Sequence, residues 1–248
     1  MDPPTGVALV ALGASVTALA TGLGALPFVG RRPLGDGLRA AANGIAAGVM
    51  VAASLGLLIE GSSWSVADTG FGVVAGVIFV ALVTRLVADH PVRHFAGVSG
   101  AGAGRAVVVV LVMTAHSAAE GIGVGVAYGG GEALGLTTTI AIALHNIPEG
   151  LAIALVMIPR GATVTSAAAW AVISSVPQPL LAVPAFLLVD WSVAALPIGL
   201  GFAAGAMVWM ALVELIPDAV RESGASRVWP AALGAFVILS LLQLAVAA

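Results

Sequence analysis

The sequence contains no cysteine and no lysine, and only 8% of its 248 residues are charged. A water-soluble domain carries about a quarter of its residues as charged side chains, so this chain cannot cover a water-facing surface. The absence of cysteine excludes disulfides and leaves no redox clue to the compartment. The net charge of -3 is small and predicts no nucleic-acid partner. Apolar residues make up 60% of the chain, which predicts a membrane protein whose surface contacts the lipid bilayer.

Eight apolar stretches are long enough to cross a bilayer, whose hydrocarbon core needs roughly 20 residues of helix. The connections between them are short, so the sequence predicts an all-α, polytopic membrane protein with one transmembrane domain covering residues 1–248. The N-terminus lacks a basic region, and the first apolar run is long enough to span, so we predict that it is not a cleaved signal peptide. In chain order, spans 1 to 8 are predicted near residues 5–28, 37–59, 70–88, 106–127, 133–158, 163–188, 193–216 and 228–247.

The arginines predict how the spans are oriented. All nine occupy or flank the connections between spans 1 and 2, 3 and 4, 5 and 6, and 7 and 8, which lie on one side of the membrane. Acidic residues such as Glu60, Asp68, Glu132 and Asp190 mark the other side. Cytoplasmic loops carry the excess of positive charge, so we expect a multi-pass protein of the cell membrane with both termini extracytoplasmic.

Two predicted spans carry the same pair of polar residues. Span 4 contains His116 and Glu120, and span 5 contains His145 and Glu149, with a spacing of four residues that stacks two side chains on one helical face. Both pairs lie near the middle of antiparallel neighbouring spans, so we expect these four residues, the His/Glu quartet, to converge. A charge at the bilayer centre costs about 2.5–3.5 kcal/mol on insertion scales, and two close carboxylates stay ionised only with a cation between them. Imidazole with carboxylate suits divalent ions such as Zn2+, Fe2+, Mn2+ or Cd2+ rather than Na+ or K+.

Prolines lie beside this cluster. Pro148 interrupts the hydrogen bonding of span 5, and Pro177 and Pro179 interrupt that of span 6. Broken backbone at this depth is tolerated where it lines a cavity, so we predict Gln178 as a contributor from a third span. Asn146 and Gln178 suit two roles equally well, as metal ligands or as hydrogen-bonding residues between helices.

The motif His-x-x-x-Glu-Gly in span 4, together with His-Asn-x-Pro-Glu-Gly in span 5, resembles that of the ZIP (Zrt/Irt-like) metal transporters. The chain is most similar to the GufA-type bacterial and archaeal branch, and residues 47–50, 205–207 and 214–218 add to the resemblance. It implies a 3+2+3 arrangement in which spans 1–3 and 6–8 are inverted repeats around spans 4 and 5. It also implies no enzyme activity, import of Zn2+ or a similar ion as substrate rather than cofactor, and often a homodimer.

The resemblance also implies roles for single residues. It gives an inner metal site made of the His/Glu quartet, with Met50 as an additional soft ligand, although methionine in a core more often only fills space. Relatives often hold a second ion with an asparagine after the span 4 histidine and a glutamate in span 6. This chain has Ser117 and Gln178 there, which predicts a weakened second site and one ion held by the quartet with Asn146.

Further polar residues admit two interpretations. Glu214 and Asp218, at the cytoplasmic end of span 7, either guide the released ion or form a solvated helix end. His90 and His94, between spans 3 and 4, either bind metal or are simply polar, and the second is commoner for two histidines.

Two other functions use similar residues. An intramembrane metal hydrolase would hold zinc and its water with histidine and glutamate, but the sequence has no His-Glu-x-x-His motif and no separate general base. A proton or anion channel leaves the pairing of two histidines with two glutamates unexplained.

Overall fold

The fold is described by a computed structural model for residues 3–30, 35–87, 94–96, 98–99 and 101–247. Within these residues, eight helical segments are long and apolar enough to cross a membrane, which confirms the predicted all-α membrane fold. Spans 1 to 8 are Thr5–Phe28, Ala40–Trp64, Val66–Leu86, Ala106–Gly130, Glu132–Arg160, Val164–Trp191, Ala195–Arg221 and Ala225–Ala245.

Most helices begin or end a few residues beyond the apolar runs that predicted them. Turns of 3₁₀ helix close spans 1 and 5, and span 7 contains a π-helical turn. The helices are Pro3–Gly22, Asp36–Trp64, Val66–Val87, Ala101–Gly130, Glu132–Met157, Val164–Ser174, Pro177–Trp191, Ala195–Trp209, Ile216–Ser223 and Ala225–Ala247.

Span 7 departs furthest from its predicted end at residue 216. Its helix passes through the π-helical turn Met210–Leu215 and continues as Ile216–Ser223, so only Gly224 separates it from the last helix. Pro217 lies within this continuous helix, two residues after the π-helical turn, where the regular hydrogen-bond ladder is already interrupted. The predicted end was too early because Pro217 and the charged residues after it lower the hydropathy without stopping the helix.

Several connections are very short. Ser65 alone separates the helices of spans 2 and 3, and Gly131 alone separates those of spans 4 and 5. Gly131 has φ 138°, a conformation that favours glycine because it has no β-carbon. Spans 4 and 5 therefore form a tight helical hairpin.

Span 6 consists of two helices that break at residues 175–176, and Pro177 begins the second one.

Contacts between spans occur in matched pairs. Span 5 packs on spans 1 and 2, and span 4 packs on spans 6 and 7; span 8 packs on span 2, and span 3 packs on span 7. Exchanging span 1 with 6, 2 with 7, 3 with 8 and 4 with 5 converts each contact into another of the set. Inverted repeats produce this pattern, and the 3+2+3 arrangement stays a prediction that these contacts support.

Spans 3 and 8 form the periphery. Only 22% and 17% of their most apolar stretches are buried, against 56% for span 5. Their exposed faces are apolar, as lipid contact requires. The hairpin of spans 4 and 5 packs mainly on spans 1, 2, 6 and 7, and span 5 keeps one exposed apolar face with Leu136, Ile140 and Leu144.

A short hairpin lies in the connection between spans 3 and 4. Strands His94–Phe95 and Val98–Ser99 pair antiparallel, and the Phe95 ring packs 4.5 Å, centroid to centroid, from that of Trp170 in span 6. His90 lies outside the described residues, as does the side chain of His94. Metal binding by this loop therefore stays a prediction.

Candidate metal centre

The two His-x-x-x-Glu pairs meet inside the bundle. His116, Glu120, His145 and Glu149 are each at most 4% exposed. One nitrogen or oxygen from each of the four lies within 4.8 Å of the other three. The two imidazole rings stand at 89° to one another, with centroids 5.7 Å apart. Because each pair sits on one face of its helix and the hairpin sets the helices side by side, the four side chains share one small volume.

Glu120 Oε1 is the central atom of this cluster. It lies 2.8 Å from His145 Nε2 and 3.4 Å from His116 Nε2, and His145 Nε2 lies 3.7 Å from Glu149 Oε2. Among the described residues, none of these four atoms has a hydrogen-bond partner. Two ligands held about 2.1 Å from a tetrahedral Zn2+ lie about 3.4 Å apart. The cluster therefore has the size and the free ligand atoms to hold one ion.

The other oxygen of Glu120 is bonded to span 6. Gln178 Nε2 donates a hydrogen bond to Glu120 Oε2 at 2.7 Å. Gln178 Oε1 accepts two hydrogen bonds, from Asn146 Nδ2 at 3.1 Å and from the Thr17 hydroxyl. Asn146 Nδ2 also donates to the carbonyl oxygen of Thr17 at 2.8 Å. Hydrogen bonds thus connect spans 1, 4, 5 and 6 behind the quartet.

Three more residues named from the sequence lie in the interior. Ser117, next to His116, is fully buried, and its Oγ has no hydrogen-bond partner among the described residues. The same is true of Asn146 Oδ1. Met50 is 1% exposed and lines the same cavity as the quartet histidines. Both free oxygens can accept a bond, and the metal-binding roles of these residues stay predictions.

A cavity of about 480 Å³ adjoins the quartet. His116, His145 and Glu149 line one end of it, and Arg160 and Arg221, at the ends of spans 5 and 7, line the other. The cavity therefore leads from the quartet toward the arginine-bearing side of the protein.

The two acidic residues of span 7 differ in position along this cavity. Glu214 lies within the π-helical turn, is half-buried, and accepts a hydrogen bond from the Thr84 hydroxyl at 2.9 Å. Asp218 forms an ion pair with Arg221, and both side chains are exposed. An exposed pair of this kind contributes little stability. Both line the cavity, Glu214 as a half-buried residue of its inner part and Asp218 as an exposed residue.

Three residues of the site went unnoticed in the sequence. They are Thr17 behind the quartet, Thr84 beside Glu214, and Asn43, which lines the cavity and whose Oδ1 is buried without a described partner. Each is a polar residue in an otherwise apolar span. A polar residue in an apolar span is only a weak indication of a site, because its side chain often bonds to the backbone of its own helix. The Thr17 hydroxyl makes such a bond to the carbonyl of Ala14, in addition to its bond to Gln178.

Eight apolar spans in the described part of the chain, around a buried cluster of two histidines and two glutamates, define a multi-pass membrane protein with a set of metal-ligand side chains in its interior. The sequence matches the family described as ZIP zinc transporter over residues 89–244. It is 44% identical over 235 residues to a putative zinc transporter of Arabidopsis thaliana, with 91% of this chain and 37% of that protein covered. It is 30% identical over 248 residues to the zinc transporter ZupT of Corynebacterium glutamicum, with 82% of this chain and 86% of that protein covered.

The chain belongs to the ZIP family of zinc transporters. This confirms the family predicted from the paired motifs and the prediction that the chain is not an enzyme. In this family Zn2+ is a transported substrate and not a cofactor. The narrower assignment to the GufA-type branch stays a prediction. The chain spans 37% of the Arabidopsis protein, so that protein has a large part without a counterpart here.

Proposed function

We propose that this chain carries Zn2+, or a similar divalent transition-metal ion, across the cell membrane toward the cytoplasm through the His/Glu quartet of spans 4 and 5. The observation that supports this most is the convergence of four buried ligand atoms within 4.8 Å in the interior of the bundle. The two relatives above are both named as zinc transporters, which favours zinc as the ion.

The charge of the site supports a divalent cation. Glu120 and Glu149 bring two carboxylates into the interior, where an uncompensated charge is costly. Arg160, at the end of span 5, does not neutralise these carboxylates. It lies eleven residues beyond Glu149, which is about 16 Å along a helix, and its guanidinium donates to the carbonyl of Val156 at 2.7 Å. One divalent ion among the quartet balances both carboxylates at once.

The ligand types favour zinc over harder ions. Two imidazole nitrogens with two carboxylate oxygens suit tetrahedral Zn2+ and, among similar ions, Cd2+ and Fe2+. Mn2+ prefers six oxygen ligands, which this cluster does not offer without added water. We therefore expect Zn2+ to be bound in preference to Mn2+.

The cavity supports a direction for the path. It leads from the quartet past Glu214 to the side that carries the arginines, which the positive-inside rule assigns to the cytoplasm. We infer that the ion leaves the quartet along this cavity, with Glu214 as an acidic residue on its way and Asp218 near the mouth. The same rule leaves both termini extracytoplasmic. A homodimer through the exposed apolar faces is a further expectation.

Zinc flux into sealed proteoliposomes tests the proposal. The purified protein is reconstituted with a zinc-sensitive dye inside the vesicles, and the initial rate is compared for the natural sequence, Glu120→Ala and Glu149→Ala. We expect flux in the natural protein and loss of most of it in both variants, because each variant removes a ligand. A monodisperse elution profile in detergent shows that each variant is folded.

A matched control separates the quartet from acidic residues in general. Glu132→Ala removes an exposed carboxylate at the start of span 5, outside the quartet, and is expected to leave the rate unchanged. Undiminished flux in both quartet variants would refute the ligand assignment. Bound zinc without flux in the natural protein would refute transport.

A further inference from the structure

We propose that Gln178 is a positioning residue that fixes Glu120 as a one-oxygen ligand and thereby sets the preference of the quartet for Zn2+ over Mn2+. This inference rests on the proposed function, because it assumes that the quartet binds the transported ion. It goes further in assigning selectivity to a residue that contributes no ligand atom of its own.

The chemistry of its partners fixes which way the Gln178 amide faces. An ionised carboxylate only accepts hydrogen bonds, so the atom 2.7 Å from Glu120 Oε2 must be the amide nitrogen. The amide oxygen then faces the Asn146 nitrogen and the Thr17 hydroxyl, which both donate. Both ends of the Gln178 amide are therefore matched, and flipping it would break the bonds to Glu120 and Asn146, whereas the Thr17 hydroxyl can accept as well as donate.

The backbone of span 4 also lies close to Gln178. Gly121 follows Glu120 in the chain, and a β-carbon at this position would lie 2.6 Å from Gln178 Cα and from the Gln178 carbonyl oxygen. Spans 4 and 6 thus approach each other closely at Gln178, as small residues permit in membranes. Gln178 is fully buried, so water does not compete for its hydrogen bonds.

The consequence for a bound ion follows from the two oxygens of Glu120. Oε2 is bonded to Gln178, and Oε1 lies 2.8 Å and 3.4 Å from the two histidine nitrogens. The bond to Gln178 turns Oε2 toward span 6 and leaves Oε1 facing the histidines, so Glu120 presents one oxygen to the ion, and the quartet presents two nitrogens and one oxygen from each glutamate. A compact set of two nitrogens and two oxygens favours tetrahedral Zn2+, whereas Mn2+ gains from each additional oxygen.

Replacement of Gln178 by leucine tests this directly. Gln178→Leu keeps the volume and removes the donor, so Glu120 Oε2 becomes free to rotate toward the ion. Loss of a residue that orients a ligand typically weakens metal binding about 10–100-fold. We expect Zn2+ affinity to fall by about tenfold while Mn2+ affinity stays the same or rises, so that the Zn2+/Mn2+ affinity ratio drops by at least about tenfold.

The measurement is isothermal titration of the purified full-length protein with Zn2+ and separately with Mn2+, with bound metal counted by elemental analysis. Gln243→Leu is the matched control, since it makes the same change on span 8 beside Gly56 and outside the quartet. A merely structural role of Gln178 would weaken both ions equally and leave the ratio unchanged, and that result would overturn the inference.

Substitution of Thr17 is a second and milder test in case Gln178→Leu does not fold. Thr17→Val removes one of the two donors to Gln178 Oε1 at constant volume, and we expect a drop in the Zn2+/Mn2+ ratio of about threefold. Thr21→Val is its control, because Thr21 is equally buried in the same span but its hydroxyl pairs with Ser175 at 2.8 Å.

The outcomes separate this inference from the proposed function. Equal ratios in Thr17→Val, Thr21→Val and the natural protein would overturn the role of Gln178. The proposed function survives that result if Glu120→Ala still abolishes binding. If the natural protein binds no Zn2+ at all, or binds it equally well in Glu120→Ala, the proposed function fails first. Two zinc ions bound per chain would contradict a site in which Gln178 leaves Glu120 only one oxygen for metal.

Discussion

Glu120 and Glu149 occupy the same position in two copies of one motif, yet their surroundings differ. Glu120 is 0% exposed, with one oxygen near both quartet histidines and the other bonded to Gln178. Glu149 lines the cavity, and neither of its oxygens has a hydrogen-bond partner among the described residues. One carboxylate is fixed by the protein, and the other has no described hydrogen bond to hold it.

This difference assigns different work to the two carboxylates. A side chain that is not held in place loses conformational freedom when it binds an ion, so Glu149 contributes less net affinity than a carboxylate that is already oriented. Glu120 keeps its orientation whether or not the ion is present, because Gln178 holds it. We therefore expect Glu120 to act as the anchor of the site and Glu149 as the ligand that exchanges the ion with the cavity.

The largest expected effect comes from removing each charge in turn. Glu120→Gln should weaken Zn2+ binding by at least about 100-fold, above the range for residues that only orient a ligand, whereas Glu149→Gln should weaken it about tenfold. Titration calorimetry of the detergent-purified protein measures both. Equal losses, or a larger loss for Glu149→Gln, would break the distinction between anchor and exchanging ligand.

The histidines sharpen the same comparison. His145 Nε2 lies near both carboxylates, at 2.8 Å from Glu120 and 3.7 Å from Glu149, whereas His116 Nε2 lies 3.4 Å from Glu120. His145→Ala should therefore weaken Zn2+ binding more than His116→Ala does, by about tenfold or roughly 1.4 kcal/mol. The same titration decides it, and the reverse order would show that His145 does not bridge the two carboxylates.

A glycine follows each glutamate, and we expect substitution of either glycine by alanine to lower stability by a similar amount. A β-carbon at Gly121 would press on the Gln178 backbone in span 6, and one at Gly150 on the Thr21 carbonyl in span 1. Gly121→Ala and Gly150→Ala should each lower the free energy of unfolding by about 1–3 kcal/mol, as other overpacked cores do. Thermal unfolding in detergent measures this.

The control is Gly70→Ala in span 3, where a β-carbon would meet nothing within 4 Å. It should leave the melting temperature unchanged or raise it slightly, because alanine is the better helix former. A stable Gly121→Ala protein would mean that spans 4 and 6 can separate, and that Gln178 does not hold Glu120 firmly.

The smallest expected effect lies along the cavity. Glu214→Gln should reduce zinc flux about threefold at unchanged Zn2+ affinity, because it removes a charge from the path and no ligand from the quartet. Thr84→Val removes the hydrogen bond that orients Glu214 and should reduce flux less. Proteoliposome flux and titration together test this, and an altered affinity in Glu214→Gln would place Glu214 within the site instead of after it.

Sequence alone predicted the features that are rare in a membrane chain. Polar side chains in apolar spans are conspicuous, so the eight spans, the His/Glu quartet and the break in span 6 could be predicted. The end of span 7 could not, because Pro217 usually breaks a helix interior, and here the helix continues through it after the π-helical turn. The π-helical turn before it has no comparable signature in the sequence.

The bonding of Gln178 was also beyond the sequence. A glutamine beside a metal site is as plausible a ligand as a hydrogen-bonding partner, and the positions of Thr17 and Asn146, on two other spans, decide what its oxygen bonds to. Glu120 and Glu149 share the His-x-x-x-Glu-Gly pattern, and the residues within it, such as Ala119 and Pro148, do not indicate which partners each carboxylate has. Their difference comes from which spans pack behind them.

The single residue Gly131 between spans 4 and 5 has a consequence for energetics. All four quartet residues are carried by one hairpin, and hydrogen bonds through Gln178, Asn146 and Thr17 tie that hairpin to spans 6 and 1. The quartet therefore keeps its geometry in any movement that carries spans 1, 4, 5 and 6 together, and we expect its affinity for the ion to be similar on either side. The affinity then supplies no direction, and net movement of metal follows the difference in electrochemical potential across the membrane.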